Sequence, residues 1–271
     1  MDYRNEAERS LAGIAERKPL VHQITNVVVT NDSANLTLGF AALPVMAYAP
    51  EEVGEMAGLS QALVLNIGTL SQGEIEAMLI AGHSAAHNGV PIVLDPVGAG
   101  ATSFRTESAL RLLSELPISV ICGNRGEIGA LVGSGEVRGV EAVGNEDPRA
   151  VANAALERFG VVTAVTGAVD VVVGHGRVLE VANGHPLLGK ITGSGCMATV
   201  TIAIFLTAGD DVPLQTALGL AVYGLAAERA AEGTPGPGTF RSRLLDEVDA
   251  VRSKGVDSLR IREPPVSIMR E

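Results

Sequence analysis

The chain has 271 residues, 46% hydrophobic and 19% charged, with a formal net charge of −11. That composition excludes a disordered chain and allows a sizeable core. Asp plus Glu number 31 against 20 Lys plus Arg, a balance that argues against nucleic acid as a partner, and two cysteines are too few for a disulfide framework or a zinc site.

Aromatic residues make up only 3%. The core must therefore come from Ala, Val, Leu and Ile, which suits a buried parallel sheet covered by helices. The longest apolar run, residues 196–208, is shorter than the roughly 20 residues a membrane span needs, so no membrane partner is expected. The first residues are acidic and lack the apolar stretch of a secretory signal, so the expected setting is the cytoplasm.

Residues 2–17 place Leu11, Ile14 and Ala15 on one face among charges, a helical pattern. Residues 19–24 read as a strand ending in Thr25 and Asn26. A helix over 30–41 and a short strand over 44–48, with Met46 in it, come next. Pro50, Glu51 and Glu52 suit a helix opening. The alternation then sharpens. Strands are expected at 62–68, 91–95, 119–122, 161–166 and 170–173. Helices are expected at 71–88, 104–115, 127–132 and 148–159. Gly174, His175 and Gly176 form a hairpin turn. Helices over 196–208, 213–232 and about 238–253 follow, and residues 261–271 read as a tail with no assigned role.

Strand alternating with helix at this spacing predicts one α/β domain over residues 1–271, with a mostly parallel central sheet. Ligands of such sheets bind beyond the carboxyl ends of the strands. The residues expected there are Asn26, Met46, Gly68, Thr69, Asp95, Asn124, Glu127 and Thr166.

The stretch 190–197 (KITGSGCM) stands out. Gly193, Ser194 and Gly195 precede an apolar helix whose free N–H groups and dipole favour an anion. Cys196, in the first turn, would feel the same field, which favours its thiolate. Two phosphate-loop patterns fail here. Residues 184–191 resemble a P-loop but end in Ile191, where Mg²⁺ needs a hydroxyl. Residues 193–198 fit the loose form G-x-G-x-x-A, but that signature belongs at the first strand-to-helix turn. A loop holding a transferring phosphoryl group remains. Each residue also has a plainer reading. Cys196 and Met46 could be core, Asp95 a turn-maker, and Asn124 with Glu127 a helix cap.

Several stretches together resemble one family, the hydroxyethylthiazole kinases of the ribokinase-like superfamily. They are residues 19–26 (PLVHQITN), 44–53 (PVMAYAPEEV), 62–71 (ALVLNIGTLS), 95–102 (DPVGAGAT) with 104–108, Gly123-Asn124 with Glu127, Val165-Thr166-Gly167 with Asp170, 192–197 (TGSGCM), and Pro237-Gly238 with Phe240. The resemblance implies a three-layer ribokinase-like fold and ATP-dependent phosphorylation of the primary hydroxyl of hydroxyethylthiazole in thiamine salvage. It also implies Mg²⁺ and a homotrimer with active sites between subunits. By the same resemblance, Asn26, Met46, Gly68, Thr69 and Gly193 would bind the substrate. Asn124 and Thr166 would contact ATP, and Asp95 and Glu127 would serve Mg²⁺. Gly193, Ser194 and Gly195 would cradle the phosphoryl group, and Cys196 would be the base. The family commonly has arginine before Gly-Asn, where this chain has Cys122, and Arg125 is the expected replacement. The rival readings are a kinase for another small alcohol such as hydroxymethylpyrimidine, a nucleotide-dependent dehydratase, and a catalytically silent ligand-binding relative.

Overall fold

The computed structural model describes residues 1–133, 136–138, 141–143 and 147–264. Its elements, in chain order, are α1 (Tyr3–Arg17), β1 (Leu20–Ile24), α2 (Thr30–Gly39), β2 (Leu43–Val45), α3 (Val53–Leu59), β3 (Ala62–Asn66), α4 (Gln72–His87) and β4 (Ile92–Asp95). Next are α5 (Ser103–Glu115), β5 (Val120–Asn124), α6 (Arg125–Val132), β6 (Glu136–Arg138), β7 (Glu141–Val143), α7 (Pro148–Phe159), β8 (Val162–Thr166), β9 (Asp170–Gly174) and β10 (Arg177–Val181). A 3-10 helix (Pro186–Lys190), α8 (Ser194–Leu206), α9 (Val212–Ala231), α10 (Pro237–Lys254) and β11 (Ile261–Arg262) complete the described chain.

Nine strands form one sheet in the order β11-β10-β9-β8-β5-β4-β3-β1-β2. The pairs from β2 through β8 are parallel, and β9, β10 and β11 extend the sheet antiparallel. Strand residues alternate between two apolar layers. Val64, Val93, Val120 and Ala164 face α1, α2, α8, α9 and α10. Leu63, Leu65, Ile92, Leu94 and Ile121 face α3 to α7. The sheet is thus sandwiched between two helical layers.

The chain moves outward from β1 to β2, then crosses to β3 on the other side of β1. The order reverses between β1 and β3, so the crevice at their carboxyl ends is the expected ligand site of this topology.

The start of α8 lies four residues beyond Lys190, which closes the 3-10 helix. No P-loop helix begins at Lys190. The expected strand at 44–48 is shorter and stops at Val45, so Met46 follows β2. Pro50, Glu51 and Glu52 form the turn before α3 instead of its first turn. The expected tail is strand in part: Ile261 and Arg262 pair with Val181 and Glu180. Residues 265–271 of that tail lie outside the described residues. The carboxylate of Glu180 on β10, which is buried, is held between Arg149 of α7 and Arg262 of β11.

Gly224 shows how tightly α9 is laid down. A Cβ there would lie 2.5 Å from the carbonyl oxygen of Asn183. Alanine gains at most about 1 kcal/mol of helix propensity, while overpacking against a backbone atom costs about 1–3 kcal/mol. Gly224→Ala is therefore expected to lower the melting temperature by several degrees in calorimetry. An unchanged or higher value would show that α9 and the 183–184 turn can separate freely.

Candidate active site

The carboxyl ends of β1, β3 and β4 meet in a polar chain. Asn66 is its centre. Its Nδ2 donates to Asp95 Oδ2 at 2.5 Å, and its Oδ1 accepts from Asn26 Nδ2 at 2.8 Å and from the Gly68 amide at 2.9 Å. Asn26 Nδ2 also lies 3.5 Å from Cys196 Sγ, which ties the strand ends to the first turn of α8. Asn26, Asn66 and Asp95 are all at most 5% exposed. Buried polar groups at this depth need partners, and these supply one another.

The substrate residues expected from sequence gather around this chain. Thr69 Oγ1 accepts the Val27 amide at 3.2 Å, and a Cβ on Gly68 would lie 2.6 Å from Asn26 Nδ2. Only glycine allows that approach. Met46 stands at the carboxyl end of β2, half-buried. The two residues after it are fastened to β1 and the residue that follows β1: His22 Nε2 lies 2.9 Å from the Ala47 carbonyl, and Tyr48 donates to the Thr25 carbonyl at 3.1 Å.

Gly193 caps α8 with φ +83, a left-handed conformation, and a Cβ there would lie 2.2 Å from Val29 Cγ1. Backbone and space both demand glycine. Gly195 differs: nothing lies within 4 Å of its would-be Cβ. The open space above it admits a ligand close to the backbone N–H groups of the helix start.

Asp95 and Glu127 are both buried. Burial, then the charge of Glu127, pushes the Asp95 carboxyl up to about 8, against hydrogen bonds from Cys196, Thr199 and Asn66. Glu127 is raised by burial and pulled back by the amides it accepts. Those are Gly98 at 2.8 Å and Asn124 at 2.9 Å, while Asn124 Oδ1 accepts from Gly126 and Glu127. The capping reading of Asn124 and Glu127 therefore holds as geometry. Two buried carboxyls, both raised by burial and one of them also by the other's charge, also fit a divalent cation. Among the described residues no three His, Cys, Asp or Glu side chains form a metal cage. Mg²⁺ needs no such cage, since it takes one or two carboxylates and completes its shell with phosphates and water.

One expectation is corrected. The helix N-terminus was expected to favour the Cys196 thiolate. Instead, burial and then the negative charge of Asp95 push the thiol far above its ordinary value, although Asn66 and Asn26 pull the other way. The dipole of one helix end does not overcome desolvation beside a carboxylate.

Beyond the loop lies a cleft of about 560 Å³. Its lining includes Thr166, Gly167 and Asp170 at the β8–β9 end, Asn183 to Pro186 after β10, and Ser194, Gly195 and Tyr223 from α8 and α9. Thr166, Ser194 and Gly195 were expected there. Asn124 pairs with Thr166 in the sheet but does not line the cleft, nor does its neighbour Arg125. Cys122 is buried in the core against the α8 layer.

Four residues of the site escaped sequence reasoning. Asp170 was quoted only for the resemblance. Its carboxylate accepts the Gly167 amide at 2.9 Å and is pushed up to about 7 by burial. Tyr223 donates to the Ser194 carbonyl at 3.1 Å and so holds the glycine loop from below. Arg105 clamps two strand-end loops by donating to the carbonyls of Ile67, Gly68 and Val97. Asn66 had a visible signal, a polar residue closing an otherwise apolar strand.

The model of the hydroxyethylthiazole kinase family matches residues 11–254. The chain belongs to that family. Curated hydroxyethylthiazole kinases agree with it along most of their length. The protein of Rubrobacter xylanophilus is 53% identical over 249 residues, 91% of this chain and 93% of its own. That of Desulforudis audaxviator is 53% identical over 261 residues, 94% of this chain and 96% of its own. Among solved structures, the hydroxyethylthiazole kinase protein of Pyrococcus horikoshii OT3 superposes with a TM-score of 0.88 at 41% identity, covering 96% of this chain and 99% of that one. The pyridoxal kinase of Staphylococcus aureus in complex with AMP-PCP and pyridoxal gives 0.62 at 13% identity, covering 91% of this chain and 99% of that one, and shares the fold alone. The fold is the ribokinase-like three-layer α/β/α sandwich, and the chain is a kinase of this family. No helix among the described residues is long and apolar enough to cross a membrane.

The Asp95 shift has a consequence for stability. The unfolded carboxyl titrates near 3.8 and the folded one near 8. The fold therefore favours protonated Asp95, and that stability is present below about pH 4 and lost as pH rises through 8. In metal-free, nucleotide-free protein, Asp95→Asn is expected to melt higher than wild type at pH 7 to 8, with the gap closing toward pH 4. A variant that melts lower at every pH would show that the carboxylate is not held at such a cost.

Proposed function

We propose that this chain transfers the γ-phosphoryl group of ATP to the primary hydroxyl of hydroxyethylthiazole, a step of thiamine salvage. The observation that carries this reading is the junction at Gly193–Gly195. On one side lies the crevice of Asn26, Met46, Gly68 and Thr69, and on the other the cleft that holds Thr166. Family membership supports the thiazole alcohol as substrate and ATP as donor.

Phosphoryl transfer asks a protein mainly for position and charge stabilisation. The nucleotide occupies the cleft with its phosphates toward the start of α8. The amides there point at the oxygens where charge develops, and Tyr223 holds the loop before the reaction begins. Asn26, Gly68 and Thr69 orient the alcohol, Met46 shapes the apolar wall, and Gly193 lets substrate approach. Asn124 and Arg125 serve the nucleotide from the next strand end, with Arg125 in place of the missing arginine at Cys122. Asp95 and Glu127 would hold Mg²⁺, which neutralises phosphate charge when bound. Cys196, 3.5 Å from Asn26, is the candidate base: its thiolate, and not its thiol, would accept the alcohol proton.

The site is read as shared between subunits of a homotrimer. Val27 and Val28, next to Asn26, are 77% and 55% exposed in the single chain. Two adjacent exposed valines beside a binding crevice suit coverage by a second copy. Sedimentation should give a trimer, and Val28→Asp should weaken both assembly and substrate binding. A fully active monomer would sink this part of the reading.

The decisive assay is phosphate transfer from ATP to hydroxyethylthiazole, with hydroxymethylpyrimidine as control. Turnover of the thiazole alcohol is expected, and preference for the pyrimidine would overturn the substrate assignment. Cys196→Ser should lower kcat by about 100-fold or more, the usual reach of proton-transfer catalysis, with a much smaller change in KM for the alcohol. Near-wild-type kcat in that variant would remove the cysteine from the chemistry.

A further inference from the structure

Asn183 and Gly184 follow β10 and form part of the wall of the cleft. Their anchors come from two remote segments. Asn183 is 5% exposed and every polar atom of its side chain is engaged. Nδ2 donates to the Ser258 carbonyl at 3.0 Å and to Glu228 Oε1 at 3.2 Å, while Oδ1 accepts the Arg260 amide at 2.6 Å. Glu228 Oε1 also accepts the Gly184 amide at 2.7 Å. The guanidinium of Arg260 closes the circuit, donating to Glu228 Oε1 at 2.5 Å, to Glu228 Oε2 at 3.0 Å and to the Ala182 carbonyl at 2.7 Å.

Glu228 belongs to α9, three residues before its end, and its partner Arg260 immediately precedes β11. One turn before Glu228 the same helix makes the contact at Gly224, where a Cβ would strike the Asn183 carbonyl. The turn is therefore held from below by helix backbone and from behind by one carboxylate. That carboxylate is aimed by one arginine. A planar fork gripping both oxygens fixes direction as well as charge.

We infer that Glu228 and Arg260 are positioning residues for the nucleotide: the segment 256–262, through the Arg260–Glu228 pair, sets the Asn183–Gly184 wall against which ATP is bound. The inference rests on the reading of this cleft as the ATP site. Neither side chain is placed at the reacting atoms, and the alcohol crevice lies across the glycine loop. Loss of the pair therefore acts on nucleotide binding and spares the other substrate.

The test compares steady-state constants in the full-length enzyme for Glu228→Gln, Arg260→Ala and Arg260→Lys, with circular dichroism and melting curves for each. KM for ATP should rise roughly tenfold in the first two variants, the scale of one lost charge-assisted hydrogen bond. KM for hydroxyethylthiazole and kcat should stay within about twofold. Arg260→Lys keeps the charge but not the fork, and should fall between wild type and Arg260→Ala. Ala168→Trp, which places bulk at the lining of the cleft, tests the underlying reading. If Ala168→Trp raises KM for ATP while all three pair variants leave it unchanged, the positioning role is wrong. If Ala168→Trp itself has no effect, the cleft is not the nucleotide site and the inference falls with it. Equal rises in both KM values, or a loss of kcat alone, would assign the pair to general stability.

Discussion

A carboxylate buried at the end of an apolar strand is the constraint on which this site depends. β4 is hydrophobic on both faces because helices cover both sides of the sheet, so Asp95 leaves the strand into a region with little water. Its carboxyl must be met by hydrogen bonds from the neighbouring strand ends. Asn66 meets it directly, and Asn26 and Gly68 are fixed in turn by Asn66. The same low polarity that makes the carboxylate expensive makes a cation or phosphate there strongly felt. The protein accepts a local loss of stability at neutral pH, and chemistry that needs a concentrated field is the return.

The glycine loop shows a second form of preorganisation. Its two glycines have different jobs. Gly193 satisfies a left-handed backbone and a close approach to Val29, so it is a structural requirement of the α8 start. Gly195 meets no such demand, and its missing side chain leaves space. Tyr223 reaches up from α9 to hold the intervening carbonyl. Donors fixed in this way need little reorganisation when charge develops opposite them.

Much of this was legible in the sequence because the signals were local. Buried strands bounded by polar residues, and caps such as Asn124 with Glu127, identify themselves within a few residues. The strand ends that converge in space were therefore named in advance. What escaped were contacts between distant segments. Tyr223 sits in the middle of an apolar helix, where periodicity marks only burial. Arg105 looks like any surface arginine of an amphipathic helix. The Cys196 thiolate was misjudged for the same reason: the helix-end field can be read locally, whereas the burial and the Asp95 charge that overrule it come from another strand. β11 is two residues long, too short to carry a period.

The edges of the sheet limit how copies of this chain can meet. On one side β2 is three residues long with Pro44 at its centre, a residue with no N–H to offer. On the other, β11 is two residues long, and its Arg262 is drawn toward Glu180. Among the described residues neither edge presents a long row of free backbone groups, so strand-to-strand growth into open filaments is disfavoured. Any self-association is left to loops and helices. Contacts of that kind form between side chains at fixed angles, which favours closed, countable assemblies.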